Sequence, residues 1–391
     1  MKNPQSMTRI PRVESRLLQV ALALSLFLAL AVSAKADELD EFIEQKMARA
    51  HVPGAAVAVV KDDRIVMARG YGWAHIERGV RVTPETAFLM ASVSKLVTAT
   101  ALMQAHDDGG FALDDAVGDH APVSLENPRH PDVAITFRQL LAHASSIRDN
   151  WDVLDAFYVA GDSPVRLKRF LARYLLPGGD LFDLDGNFYR SAPGSAVRYS
   201  NVGSALAGGL VSLVGSRGFD RSCRERIFEP LGMTNTGWRL RDMDPNTLAM
   251  PYEYRRGSGE WVAYGHYGFP DYPNGLLRSS VLDMARFVIA HMNDGAFGET
   301  RILAPGTARE MRRVQYPDLD GDQGLGFYHW RTGGEDRVGH NGGDYGASTE
   351  VWFRPSDRKG VLLFVNGDAE RDGESGALLD IVERLFELHL E

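Results

Sequence analysis

The chain has 391 residues, 44% hydrophobic and 24% charged, enough to bury one large core or two modest ones. A net charge of −9, without any basic run carrying interleaved aromatics, argues against a nucleic-acid partner. Cys223 is the only cysteine, so neither an intrachain disulfide framework nor a cysteine-based zinc site can form.

Lys2, Arg9, Arg12 and Arg16 precede an apolar run over residues 17–34, and Ala34-Lys35-Ala36 has the small-x-small form of a cleavage site. Residues 1–36 therefore read as a signal peptide, with an uncleaved membrane anchor as the alternative. Either reading places the mature domain, 37–391, outside the cytoplasm, secreted or periplasmic. Leu39, Phe42, Ile43 and Met47 then recur at helical spacing over 37–49. Segments 55–60 and 64–71, rich in small and β-branched residues around Lys61-Asp62-Asp63, predict an antiparallel hairpin.

The stretch 90–99 reads as a helix start, with Leu96, Val97, Ala99, Ala101, Leu102 and Met103 as its buried side and Asp107-Asp108-Gly109-Gly110 as its stop. Ser92 and Lys95, three apart, share one face. A serine there is commonly an N-cap, and a lysine is commonly a surface charge. Against that reading, a capping box would carry Glu or Gln where Lys95 stands, and a cation in a first turn opposes the helix dipole. Dipole and burial both favour a neutral amine, which can take a proton from a neighbouring hydroxyl. Ser94 should face elsewhere.

Prolines punctuate 114–251, where loops and short helices are expected, including a helix entry capped by Thr136 and a small-residue helix over 201–214. A further helix follows at 280–292. Strand texture returns at 325–331, 337–342, 347–353 and 360–366, and a helix closes the chain over 376–390. Early and late strands both need neighbours, so the predicted fold is α+β: one antiparallel sheet flanked by helices, with an inserted mainly helical lobe. The sheet lobe is assigned to 37–90 and 275–391, the helical lobe to 91–274, and the cleft between them is the natural site.

Two further groups join Ser92-x-x-Lys95: Tyr199-Ser200-Asn201 before the small-residue helix, and His340-Asn341-Gly342-Gly343 on a late strand. In this order they resemble the serine β-lactamase and penicillin-binding protein family, whose signature is Ser-x-x-Lys, then Ser/Tyr-x-Asn, then Lys/His-x-Gly. Glu85-Thr86-Ala87-Phe88, residues 135–143, Phe228-Glu229-Pro230-Leu231-Gly232-Met233 and Leu363-Phe364-Val365-Asn366 look like segments of its class C β-lactamase-like branch. His340, in place of lysine, looks more like the D,D-carboxypeptidases and related peptidases or esterases of that branch.

The resemblance implies acyl transfer through an ester on Ser92, with Lys95 and Tyr199 as a coupled proton relay in which either could be the base. It places oxyanion-hole donors at the backbone N–H groups of Ser92 and Gly343, and substrate binding at Asn201, His340 and Gly342. Glycine at 342 and 343 is expected because substrate backbone must lie close along that strand. His340 is expected to titrate near pH 7 and to recognise a substrate carboxylate. Each residue also has a structural reading: Tyr199 as a core aromatic, His340 as a strand histidine, Asn201 as a helix cap. Ser146 replaces a glycine usual in the family and would be strained if its φ is positive. Arg331 could meet a substrate carboxylate or be a solvated strand charge.

No His-Glu-x-x-His or Gly-x-Ser-x-Gly occurs, and Asp318-x-Asp320-x-Asp322 lacks the glycine and glutamate of a calcium loop. No metal or other cofactor is expected. The leading expectation is an extracytoplasmic serine hydrolase, D,D-peptidase-like or a related amide or ester hydrolase. Alternatives are a promiscuous carboxylesterase, a class C-type β-lactamase, or a non-catalytic penicillin-binding-like sensor. The partner is a small-molecule or peptide substrate, with a membrane involved only through an uncleaved signal segment.

Overall fold

The computed structural model describes residues 37–121, 125–215, 217–369, 373 and 375–389, so the expected signal peptide lies outside the described residues. The chain divides into two compact units at Lys46/Met47. The described part of the first, residues 37–46, opens a helix that runs to 49. Everything below concerns the second unit.

Seven strands form one antiparallel sheet: β1 (Gly54–Lys61), β2 (Arg64–His75), β3 (Val80–Arg81), β4 (Tyr328–Thr332), β5 (Glu335–Asp344), β6 (Ala347–Arg354) and β7 (Lys359–Val365). Their order is β4-β5-β6-β7-β1-β2-β3, so the expected hairpin and the late strands do share a sheet. The join is β1 on β7, in the register Ala56↔Phe364 and Ala58↔Leu362. All of β7 is buried, and helices α3 (Val281–Met292) and α4 (Ser375–Glu387) both pack on it. Strands covered on both faces lose the polar–apolar alternation of a half-exposed strand, which is why β1 and β7 read as continuous apolar runs.

Helix α1 (Ser94–Asp107) is buried from Ser94 through Ala105. A helix enclosed on all sides must satisfy its polar side chains internally. Thr98 Oγ1 donates to Pro273 O (2.7 Å), Thr100 Oγ1 to Leu96 O (2.7 Å), and Gln104 Nε2 to Arg226 O and Ile302 O (2.9 Å each). Ser94 Oγ accepts from Leu277 N at 3.0 Å, so it does face elsewhere. Helix α2 (Asn201–Val214) packs against α1 and against the turn Tyr272–Asn274. Its small residues are required there: a Cβ on Gly208 would sit 2.5 Å from Pro273 Cβ.

The predicted cap at Thr136 is present as a capping box with Gln139 on helix Phe137–Leu141. At α2 the cap is Ser200, whose hydroxyl accepts from Gly203 N at 2.9 Å, and not Asn201. The amide of Asn201 is thereby left for other partners.

Candidate active site

Ser92 sits in a single 3₁₀ turn, Ala91–Val93, that feeds α1. The turn is clamped at Met90, whose N–H donates to Leu277 O (2.8 Å) and whose carbonyl accepts from Thr349 Oγ1 (2.9 Å). Ala91 adopts φ +44°, a left-handed conformation that costs a non-glycine residue about 1 kcal/mol or more. Gly342 on β5 meets this turn edge-on. A Cβ there would lie 2.6 Å from Met90 O and 2.9 Å from Ser92 N. At position 342 the protein's own backbone therefore already requires glycine.

Lys95, one turn further on, is 2% exposed. Its Nζ lies 3.0 Å from Ser92 Oγ, 2.8 Å from Asn201 Oδ1 and 2.8 Å from Asn274 O. Burial brings its pKa down to about 7, against the opposing pull of Asp149, Asp271 and Asp344. The partners then fix the direction of the lone pair. Asn274 O can only accept. Asn201 Oδ1 is identified as oxygen because the other end of that amide donates to Asp149 Oδ2 at 3.0 Å. A neutral amine has two N–H groups, both claimed by these oxygens, so its lone pair faces the Ser92 hydroxyl.

Asp149 organises this arrangement, and no motif pointed to it. Its carboxylate accepts from Asn201 N (2.8 Å), Val202 N (3.0 Å), Ser200 Oγ (3.1 Å) and Asn201 Nδ2. A carboxylate at a helix N-terminus meets unsatisfied N–H groups and the positive end of the dipole. Asp271 and Asn274 were also missed. Asn274 Nδ2 donates to Asp271 O (2.7 Å) and Oδ2 (2.8 Å), holding the turn whose carbonyl takes Lys95. Burial raises the pKa of Asp271 to about 7.

Tyr199 lies across the cavity, with Lys95 Nζ 4.8 Å from its ring centroid and the His143 and His340 rings at 4.5 and 6.0 Å. It is 43% exposed, which removes the core-aromatic reading. His340 is buried against Tyr199 and Tyr328, and its Nδ1 meets Asn341 O. Burial, aided by Lys95, pushes its pKa down to about 3, correcting the expectation of a charge near pH 7. His143 is likewise held down to about 3. Ser92, Tyr199, His340, Gly342 and Gly343 line one cavity of about 360 Å³, together with Asn341 and the unpredicted Gln323 and Tyr328. Lys95 and Asn201 reach it through Ser92. Ser146 has φ +62°, the strained conformation anticipated for it, and its hydroxyl accepts from Asn127 Nδ2 at 2.9 Å. Arg331 is engaged away from the cavity, with Asp322, Asp336 and Gly321 O.

The family model described as Beta-lactamase matches residues 39–383. The chain belongs to this family. Within the Beta-lactamase family and its penicillin-recognising superfamily, the chain is similar to Protein flp of Staphylococcus aureus (strain COL), 23% identical over 339 residues. That match covers 85% of this chain but only 63% of the relative, so the chain spans less than two thirds of that protein's length. Penicillin-binding protein 4 of Amycolatopsis lactamdurans is 28% identical over 329 residues, 81% of each chain. Among solved structures, the octameric penicillin-binding protein homologue from Pyrococcus abyssi superposes with a TM-score of 0.71 at 26% identity, covering 85% of this chain and 74% of that one. D-amino acid amidase from Ochrobactrum anthropi SV3 shares the fold, with a TM-score of 0.70 at 22% identity over 90% of this chain and 97% of that one. The match and the fold place the chain in the β-lactamase and penicillin-binding protein superfamily. No described helix is long and apolar enough to cross a membrane.

Proposed function

We propose that the protein is an extracytoplasmic hydrolase of the class C-like branch that cleaves an amide or ester through an acyl-enzyme on Ser92. The class of substrate is a D-amino-acid peptide or a related amide or ester. The observation that carries this reading is the buried Lys95 amine, its pKa brought down to about 7, with Nζ 3.0 Å from Ser92 Oγ. Lys95 takes the Ser92 proton as Oγ bonds to the substrate carbonyl carbon. The oxyanion is held by the N–H groups of Ser92 and Gly343, each such donor being worth about 3 kcal/mol of barrier. The proton passes through Lys95 and Tyr199 to the departing amine or alkoxide, and water then releases the acid and restores Ser92.

A second reading, a carboxylesterase, is favoured by His340 being neutral: that position offers no cation for a substrate carboxylate. Intact-mass analysis separates the two after wild type and Ser92→Ala are incubated with labelled penicillin, a fluorophosphonate and a panel of D-amino-acid amides and esters. A lasting Ser92-dependent penicillin adduct supports the peptidase-like reading, and rapid ester turnover without one supports the esterase. Absence of any Ser92-dependent label would sink both and leave a binding protein.

A further inference from the structure

A second cavity, of about 640 Å³, lies in the helical part of the molecule and shares no residue with the one at Ser92. Its walls come from helix Leu167–Leu175, from α2, and from Phe219 and Trp238. Leu171, Leu206, Phe219, Phe228, Trp238 and Tyr272 form an apolar floor, every one of them buried. Leu213, at 40% exposure, leaves apolar surface at its mouth. A volume of this size is that of a small-molecule site.

The charged residues of the lining are unlike the rest of the chain. Lys168, Arg221, Arg224 and Arg241 are exposed on it, against the carboxylates of Asp220 and Asp242. Asp220 is already taken by Arg239 (3.2 Å) and the Tyr272 hydroxyl, and Arg221 by Glu225 (2.6 Å). Lys168, Arg224 and Arg241 form no ion pair among the described residues. An excess of cations around an apolar well, on a chain of net charge −9, selects a ligand with a hydrocarbon body and an anionic head.

We infer that this cavity binds a single-chain fatty-acid anion, with the alkyl chain on the Leu171–Trp238 floor and the carboxylate among Lys168, Arg224 and Arg241. The site stands independently of the reaction at Ser92. It is tested by calorimetric titration of the full chain with decanoate and dodecanoate below their micelle concentrations, alongside dodecanol and dodecyltrimethylammonium. Saturable one-to-one binding is expected, tightening roughly fourfold for each added methylene. Dodecanol should bind about tenfold more weakly, and the cationic amphiphile more weakly still. Ala172→Trp, at an exposed lining position, should remove dodecanoate binding without moving the unfolding midpoint. The pair Lys168→Glu and Arg224→Glu should weaken dodecanoate about tenfold and leave dodecanol unchanged. Prior blocking of Ser92 with a fluorophosphonate should change nothing. Non-saturable uptake, equal affinity for dodecanol, indifference to Ala172→Trp, or loss on blocking Ser92 would each overturn the assignment.

Discussion

Lys95 and Lys359 are both buried, at 2% and 5% exposure, and burial lowers both pKa values, to about 7 and about 8. Their surroundings differ. Lys359 Nζ donates to Phe386 O and Leu388 O, at 2.6 Å each, at the end of α4 where the last carbonyls lack helical partners and the dipole favours a cation. Lys95 has two carbonyl oxygens and, as its third partner, a hydroxyl that opens onto a cavity. A lowered pKa only makes a lone pair available. What that lone pair faces decides whether the lysine is a base or a brace.

The sharpest way to break this contrast is to remove each lysine. Ser92→Ala and Lys95→Met should each lower kcat/KM roughly ten-thousand-fold, read in a steady-state ester or amide assay. Lys359→Met should leave kcat/KM within about twofold. It should instead cost about 1–3 kcal/mol in denaturant unfolding, because one buried and one half-buried carbonyl lose their donor. Equal losses of activity in the two lysine variants would erase the distinction.

Asp149→Ala should be next in size. It frees the Asn201 amide and leaves α2 N–H groups unpaired, and losing a charged hydrogen bond worth about 1.5–3 kcal/mol corresponds to a roughly 10- to 100-fold fall in kcat. An unchanged kcat with raised KM would place Asp149 in substrate binding and not in positioning.

The pH profile sharpens the comparison further. With Lys95 the base, kcat/KM should rise with pH through about 7. Asp271 titrates nearby and pulls the Lys95 pKa upward, so Asp271→Asn should move the limb to lower pH. His340→Gln should leave the limb in place, since His340 is neutral throughout that range. The final effect is on stability. Lys95 has a folded pKa below its unfolded value, so between about 7 and 10.4 the unfolded chain binds more protons and stability rises with pH. Lys95→Met should flatten that rise from about 7 upward, and Lys359→Met only from about 8.

Much of this was legible in the sequence because the chemistry is written in short motifs. Ser92 and Lys95 meet through one helical turn, Tyr199 and Asn201 stand at the entry of α2, and His340, Gly342 and Gly343 lie within β5, elements that patterning located. The fold followed from the same patterning: β5 was expected at 337–342 and spans Glu335–Asp344. Burial and long-range pairing were not legible. Asp149 acts on Asn201 across 52 residues with no intervening pattern, and Asp271 and Asn274 matter through a carbonyl that no sequence rule aims. The charge of His340 was misjudged because a motif names a residue and not its dielectric. The crowding at Gly342 was not legible either, since the Met90–Ser92 turn that leaves no room for a side chain is reached only through the tertiary fold.

The most direct measurement is the rate of Ser92 modification by a fluorophosphonate as a function of pH, in wild type and in Lys95→Met. If the buried amine is the base, the wild-type rate rises with a midpoint near 7 and the variant reacts slowly with no inflection there. A midpoint near that of an exposed lysine, or an unaltered profile in Lys95→Met, would contradict a neutral Lys95 poised on the Ser92 hydroxyl.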